Sequence, residues 1–184
     1  MRRKQNKGFT LAELLIVVAI IGILVAISVP IFNVKMEKAR EAHDIATMRT
    51  AASAAIDLYY AGLNESNASD YGLKVWPAAN PNNSNIAGAY NPKTGMFVKD
   101  KSVIDAYGKG TKVDAETTFT MGNNNGAYVS TEDYTRAVVM VAIYYNASPV
   151  RAEVYWKNNS GNNNYVGGQR AQNVPKNSII INIE

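Results

Sequence analysis

The sequence from Gly8 to Phe32 reads GFTLAELLIVVAIIGILVAISVPIF, and this stretch decides the fold. Within it, residues 14–29 are 16 consecutive positions without a charged side chain. As a helix these positions would extend ~24 Å, and residues 9–32 would extend ~36 Å. The hydrocarbon core of a bilayer is ~30 Å thick. We therefore predict that residues 9–32 form a helix that can cross a membrane.

The charge of the chain is concentrated just before this stretch. The basic residues of the first seven positions are Arg2, Arg3, Lys4 and Lys7, and no acidic residue lies among them. The whole chain has 19 Lys and Arg against 15 Asp and Glu, so without these four the basic and acidic side chains are equal in number. A basic flank stays in the cytoplasm, which predicts a cytoplasmic N-terminus. Nucleic-acid binding is not predicted, because the remaining chain carries no net positive charge.

Composition argues against most enzyme and metal chemistry. There is no cysteine, which excludes a disulfide framework, thiol catalysis and Cys-ligated metals, and His43 is the single histidine. We expect His43 to be a surface residue. Glu132 and Asp133 are adjacent, so on a strand they would point to opposite sides and make a poor acid/base pair. We predict no enzyme activity, no cofactor and no metal site; the alternative of an oxygen-ligated Ca²⁺ in the loop 122–126 lacks a D-x-D run.

Glu13 separates three interpretations of the apolar segment. The first is a cleavable signal peptide with an A-x-A-like site at Ala26-Ile27-Ser28, and the second is an uncleaved single-pass anchor. A carboxylate near the centre of a bilayer costs roughly 2.5–3.5 kcal/mol on insertion scales, and neither interpretation explains it. The third interpretation gives the carboxylate a partner.

The segment Gly8-Phe9-Thr10-Leu11-Ala12-Glu13 resembles the class III signal of type IV prepilins and pseudopilins, and the resemblance covers roughly residues 4–50. It implies that a prepilin peptidase removes a leader, residues 1–8, after Gly8. It also implies that the new N-terminal residue, Phe9, is N-methylated and that Glu13 acts in subunit assembly. The absence of cysteine suits a Gram-positive type IV pilin.

Cleavage after Gly8 would give Phe9 a free α-amino group, whose reference pKa is ~7.7–8.0. Two ions taken from water cost several kcal/mol each unless they meet in good geometry. The carboxylate of Glu13 in one subunit can supply that partner to the amine of a neighbouring subunit. The alternative is a Glu13 that is solvated by lipid headgroups and has no role in assembly.

Gly22 and Pro30 weaken the helix, since an interior proline costs ~3 kcal/mol or more and a glycine ~1 kcal/mol. We predict a kink near Pro30. The resemblance implies, in addition, that the stretch between them can lose helical order when subunits pack into a filament.

The helix is predicted to continue beyond Pro30 and to end before Gly62, so that it covers Thr10 to Ala61. Apolar residues recur at helical spacing, and charged residues occupy the opposite side. The apolar stripe consists of Ile45, Met48, Ala52, Ala55 and Tyr59. The charged side is assigned Lys35, Glu37, Lys38, Arg40, Glu41, Asp44 and Arg49.

The rest of the chain reads as short strands between polar loops. Residues 136–145, apolar on both faces, predict a central strand, and residues 150–156 alternate and form a hairpin with it. A short terminal strand is predicted at 178–183, weaker strands at 117–121 and 127–130, and a helical turn at 101–107. Loops are predicted at 64–70, 80–85, 122–126 and 158–164.

These elements predict an α+β fold, in which the amphipathic half of a long N-terminal helix packs on an antiparallel sheet of three to five strands. The domains would be a leader (1–8), a transmembrane and polymerisation helix (9–32) and a globular head (33–184).

The resemblance implies a structural subunit of a type IV pilus, which starts in the membrane and ends in an extracellular helical filament used for adhesion, motility or DNA uptake. Its partners would be further copies of the chain, the prepilin peptidase, an assembly ATPase and a platform protein. Alternatives are a type II secretion or competence pseudopilin, and a secreted or membrane-anchored binding domain with a conventional signal.

Overall fold

The computed structural model describes residues 8–113, 118–121, 124–161, 165–171 and 174–184. The chain divides into two compact units, Met1–Met36 and Glu37–Glu184. One helix, α1, covers Leu11–Tyr60 and so contributes to both units. The predicted helix, Thr10 to Ala61, is confirmed to within one residue at each end.

The C-terminus of α1 is closed by a glycine cap. Gly62 has φ 92°, a left-handed conformation that glycine adopts without a Cβ clash. Its N–H donates to the carbonyl of Tyr59 at 3.0 Å, and the N–H of Leu63 donates to the carbonyl of Leu58 at 3.1 Å. This pair of hydrogen bonds is the Schellman motif, which satisfies carbonyls that the helix itself leaves without donors.

In the first unit the described residues after Thr10 are helical throughout, and α1 is long and apolar enough to cross a membrane. The helix continues through Gly22 and Pro30. Pro30 has no N–H to donate to the carbonyl of Ala26, so one hydrogen bond of the helical ladder is missing there. Two residues earlier, the Ser28 hydroxyl donates to the carbonyl of Leu24 at 2.6 Å.

The second unit contains, among its described residues, a six-stranded antiparallel sheet of order β1-β2-β6-β7-β10, with β3 paired to β2. Its strands are β1 (Lys74–Trp76), β2 (Asn85–Asn91), β3 (Met96–Val98), β6 (Ala137–Tyr144), β7 (Arg151–Asn158) and β10 (Ile179–Asn182). Two short antiparallel pairs accompany it: β4 (Thr118–Met121) with β5 (Asn124–Val129), and β8 (Gln169–Ala171) with β9 (Val174–Pro175). Single 3₁₀ turns lie at Pro81–Asn83 and Lys101–Val103.

The α+β fold is confirmed, and the central hairpin is the predicted one. Strands β6 and β7 pair along their whole length, from Ala137 opposite Asn158 to Tyr144 opposite Arg151. Strands β4 and β10 fall on predicted segments, and β5 overlaps the segment predicted at 127–130. The predicted helical turn at 101–107 is a 3₁₀ turn of three residues.

The strand count was wrong, because β1, β2 and β3 were not predicted. Strand β2 has the sequence NIAGAYN, whose Gly and Ala residues have low strand propensity. A Cβ at Gly88 would lie 2.8 Å from the Cδ2 atom of Leu73 and 3.0 Å from the carbonyl oxygen of Gly72. The small residue is therefore needed for packing. The loop predicted at 122–126 was also wrong in part: β5 begins at Asn124, and residues 122–123 lie outside the described residues.

The core of the second unit forms where the predicted stripe of α1 packs on the sheet. Ile45, Met48, Ala52 and Ala55 are buried in one cluster with sheet residues. The sheet side of that cluster includes Val139, Val141, Ile143, Ala152, Val154, Trp156 and Ile179. Tyr59, the last residue of the stripe, is half-buried against the cluster. The amphipathic half of the helix therefore covers one face of the sheet, as predicted.

Candidate functional site

The N-terminus of α1 is closed by Thr10 and Glu13. The backbone N–H and the hydroxyl of Thr10 each donate to Oε2 of Glu13 at 2.8 Å. In return, the backbone N–H of Glu13 donates to the Thr10 hydroxyl at 3.2 Å. This is a capping box, in which two helix-terminal N–H groups gain acceptors. Sequence reasoning missed it, although Thr-x-x-Glu before an apolar run is its signature.

Gly8 and Phe9, the residues predicted to flank the cleavage point, lie just before the helix. Both are exposed, Phe9 to 87%, and Glu13 is exposed as well. Glu13 is four positions after Phe9, and α1 begins between them at Leu11. The described chain does not bury either group, and both are accessible to an enzyme or to another copy.

The surface of α1 within the first unit is apolar on all sides. Its large hydrophobic side chains from Leu11 to Phe32 are between 50% and 83% exposed. A helix that is hydrophobic all round needs cover from lipid or from other helices. Gly22 lies on this segment, and a Cβ built there would meet nothing within 4 Å. Glycine at this position is therefore not required by packing within the described chain.

The second unit holds three acidic side chains where a solvated charged face was predicted. Glu37, Glu41 and Asp44 are each at most 1% exposed, so their assignment to the outer side of the helix was wrong. They lie at spacings of four and three residues, and the series continues to the buried Met48. The signal was present in the spacing, since these positions extend the apolar stripe toward the N-terminus. Because these three residues are charged, they were assigned to the solvated side of the helix.

Asp44 is held by the segment that follows the 3₁₀ turn at Lys101–Val103. The backbone N–H of Lys109 donates to both carboxylate oxygens at 2.9 Å, and that of Gly110 donates to Oδ2 at 2.8 Å. The Tyr128 hydroxyl donates to the same oxygen at 3.1 Å. Burial raises the pKa of Asp44, and the hydrogen bonds from Gly110, Lys109 and Tyr128 oppose that shift.

Glu37 makes a similar contact about two helical turns earlier. Its Oε1 atom accepts a hydrogen bond from the backbone N–H of Thr111, and its Oε2 atom pairs with Nη1 of Arg40 at 3.1 Å. Buried carboxylates are stable only with such donors. Together Glu37 and Asp44 attach residues 109–111 to α1, which is a structural role and not a catalytic one.

The remaining sequence candidates form no reactive site. His43 is exposed, as predicted. Glu132 and Asp133 lie in the turn after β5 and not on a strand, and the Asp133 carboxylate accepts from the backbone and hydroxyl of Thr135. In the part of the chain that the structure describes, no group of three His, Asp or Glu side chains could hold a metal ion.

Known proteins resemble parts of the chain. The family model described as the prokaryotic N-terminal methylation motif matches residues 3–29. A fimbrial protein of Pseudomonas aeruginosa is 46% identical over 56 residues, which are 29% of this chain and 36% of that protein. Fimbrial protein EcpC of Eikenella corrodens is 42% identical over 82 residues, 44% of this chain and 45% of that protein. No solved structure matches the chain.

A longer match is to the type IV major fimbrial protein FimA of Dichelobacter nodosus, 35% identical over 107 residues, or 53% of this chain and 63% of that protein. The predicted resemblance to type IV pilins is thus confirmed, and it rests on the methylation motif together with these fimbrial proteins. The chain spans about a third of the length of the first Pseudomonas aeruginosa relative and less than two thirds of FimA. The Gram-positive origin stays a prediction.

Proposed function

We propose that the chain is a structural subunit of a type IV pilus filament. The observation that carries the proposal is the N-terminal methylation motif at residues 3–29, of which residues 11–29 lie on a helix that exposes apolar side chains on every side. Such a surface is stable in a membrane, and it is stable again where several copies bury one another. A structural role also agrees with the fimbrial relatives, and we propose no catalytic activity.

Maturation prepares the helix for assembly. A prepilin peptidase removes residues 1–8 by cleavage after Gly8, and the amine of Phe9 is then N-methylated. The new amine is a cation at the start of an apolar helix, and the Glu13 carboxylate of a neighbouring subunit neutralises it. Since a buried ion pair tolerates little displacement, this pair sets the axial register of each added subunit.

Two further residues give the polymerised helix its flexibility. Gly22 lowers the preference for helix by ~1 kcal/mol. Pro30 weakens the helical hydrogen-bond ladder and costs ~3 kcal/mol. We propose that the chain kinks at Pro30 and that residues between them lose helical order in the filament.

Before assembly the chain lies in the membrane with its N-terminus in the cytoplasm, and after assembly it is part of an extracellular filament. The machinery consists of the peptidase, an assembly ATPase and a platform protein. Adhesion, motility and DNA uptake are the uses that such a filament serves.

The test is to count surface filaments by electron microscopy in cells that express the wild-type chain, Glu13→Ala or Glu65→Ala. Glu65 is an exposed carboxylate of the second unit and is the matched control. We expect Glu13→Ala to remain in the membrane and to reduce filaments at least tenfold, while Glu65→Ala assembles normally. Normal numbers of filaments with Glu13→Ala would overturn the proposed role.

The same experiment separates the alternatives. A type II secretion or competence pseudopilin would share the maturation but form no long surface filaments at native expression. A binding domain with a conventional signal would form none and would begin after Ser28 if that signal were cleaved. The fimbrial relatives favour the pilus subunit over both.

A further inference from the structure

A cavity of about 730 Å³ lies on the face of the sheet that α1 does not cover. Its floor includes Ala87, Ala142 and Glu153, which are register partners on β2, β6 and β7. Ala142 stands between Val141 and Ile143, both of which belong to the cluster packed on α1. Because side chains alternate along a strand, Ala142 faces the other way. Because the side chains of Ala87 and Ala142 are short, they leave space above the sheet, and larger side chains surround that space.

Two aromatic rings in the walls of this cavity each have a cation of the chain over the ring. The guanidinium of Arg151 lies 4.3 Å from the ring centre of Tyr144, and Nζ of Lys157 lies 4.7 Å from that of Tyr165. Such cation–π contacts hold long basic side chains in defined positions. Trp76 stands at the rim and is 51% exposed. A half-exposed indole offers a flat apolar surface that suits the C–H face of a sugar ring.

The positive charge extends into a second cavity of about 380 Å³. The two cavities share Trp76, Met140 and Lys157, and the second adds Lys101. Lys101 donates to the carbonyls of Asn159 and Gly161, which fixes its ammonium group beside the cavity. The pKa of Lys157 is lowered by burial and by repulsion from Lys101. A bound anion would relieve that repulsion.

The polar groups of the first cavity also fit hydroxyl groups. Glu153 is 3% exposed, and its oxygens accept from the hydroxyls of Ser178 at 2.8 Å and Tyr144 at 3.3 Å. The amides of Asn83 and Asn85 line the same space. A side-chain amide can donate to a carboxylate or sulfate oxygen and can accept from a sugar hydroxyl. This arrangement suits a ligand that carries both anionic groups and hydroxyl donors.

Single-stranded nucleic acid fits less well. It binds through a basic groove with ring faces open for base stacking. Here Tyr144 and Tyr165 each have a cation of the chain over the ring. Nζ of Lys74 covers one face of Trp76 at 4.2 Å from the ring centre, so the indole offers one face, which is enough for one sugar ring but not for a run of stacked bases.

We propose that this groove binds an acidic oligosaccharide, whose carboxylate or sulfate groups contact Arg151 and Lys157. A sugar ring packs on Trp76, and its hydroxyls contact the amides of Asn83 and Asn85. The site goes beyond the proposed filament function and does not depend on it, because all of its residues lie within Glu37–Glu184.

The experiment titrates the full-length chain in detergent micelles at 150 mM salt with two acidic probes, a heparin-derived hexasaccharide and a galacturonic acid hexamer. Cellohexaose is the neutral probe and a twelve-residue oligothymidylate is the nucleic-acid probe. Binding is measured by calorimetry and by tryptophan fluorescence. The chain has two tryptophans, and the other, Trp156, is buried in the core on the opposite face. A fluorescence change that Trp76→Phe abolishes therefore locates the ligand.

We expect at least one acidic hexasaccharide to saturate the site. The double variant Arg151→Gln/Lys157→Gln should weaken its binding at least tenfold, and each single change at least threefold. Lys112→Gln, an exposed cation outside both cavities, should change binding by less than twofold. An unchanged urea-unfolding midpoint shows that each variant is folded. The proposal is overturned if neither acidic probe binds, if cellohexaose or the oligothymidylate binds as tightly, or if folded groove variants bind normally.

Discussion

Thr10 and Glu13 form a reciprocal cap, in which both donors of Thr10 reach the same carboxylate oxygen, Oε2, at 2.8 Å. In the described chain the other oxygen, Oε1, receives no hydrogen bond. Glu13 can therefore cap its own helix and still offer one oxygen to the amine of a neighbouring subunit. The capping box and the proposed ion pair are compatible, and they predict different effects of substitution.

Glu13→Gln separates charge from capping. Glutamine supports a capping box as glutamate does, but it carries no charge for an ion pair. We expect Glu13→Gln to reduce surface filaments nearly as strongly as Glu13→Ala. Thr10→Ala, which weakens the helix cap by about 0.5–2 kcal/mol, should still assemble at no less than half the wild-type level. Filament counts by electron microscopy check both. If Thr10→Ala loses filaments while Glu13→Gln keeps them, capping and not charge is what assembly needs.

Two isoleucines test whether the packed second unit and the apolar helix of the first unit differ in how much a buried or exposed side chain contributes to stability. Ile143 is 1% exposed in the core of the second unit, and Ile23 is 62% exposed on the helix of the first. Ile143→Ala should lower the free energy of unfolding by about 2–5 kcal/mol. Ile23→Ala should change it by no more than ~0.5 kcal/mol. Urea unfolding in detergent, followed by tryptophan fluorescence, measures both. Equal losses would contradict the separation.

Tyr128 is predicted to stabilise the head through one hydrogen bond. Its hydroxyl donates to the buried Asp44 carboxylate, and its ring stacks on that of Tyr134 at a centroid distance of 4.1 Å. Tyr128→Phe keeps the ring, so the expected loss of about 1–3 kcal/mol reports the missing donor. The control is Tyr145→Phe, because the Tyr145 hydroxyl donates at 2.7 Å to the exposed Glu65 and should contribute ~0.5 kcal/mol or less. A Tyr128→Phe variant as stable as the control would show that Asp44 does not need this donor.

Asp44 is predicted to make stability depend on pH. Burial raises its pKa in the folded chain, whereas an unfolded aspartate titrates near ~3.9. As pH rises above that value the unfolded state loses its proton first, so wild-type stability falls until the folded carboxyl has titrated too. Asp44→Asn does not titrate. The stability of the wild type relative to Asp44→Asn should therefore decrease between pH 3.5 and 7 in urea unfolding.

The opposite trend would contradict this prediction. A relative stability that increases with pH would mean that the hydrogen bonds from Lys109, Gly110 and Tyr128 outweigh burial and lower the pKa of Asp44. Comparing the two chains at each pH removes, to first order, the pH dependence that both chains share.

The long helix was predictable because its signals are local. An apolar run, a stripe at helical spacing and Gly62 at the end are all contained in the sequence of the element itself. The hairpin of β6 and β7 was predictable for the same reason, since both strands are long, apolar and adjacent in sequence.

The missed features depend on contacts between distant segments. Asp44 is buried because residues 109–110, some 65 positions later, supply N–H donors to it. Strand β2 contains Gly88 because Leu73 and Gly72 pack against that position. The helical spacing places Asp44 on the apolar stripe, but neither its distant N–H donors nor the packing at Gly88 can be read from the local sequence. The cavity on the face of the sheet that α1 does not cover also depends on distant segments. Its alanines and cations lie on three strands, and the sheet register brings them together.

The most direct test of the account is the mass of the mature chain, isolated from membranes and from surface filaments. Intact-mass and N-terminal peptide mass spectrometry should find a chain that begins with N-methylated Phe9 in both fractions. A chain that retains Met1 and its basic leader, or that begins at Val29 beyond the apolar segment, would contradict the proposal that this helix is processed for polymerisation.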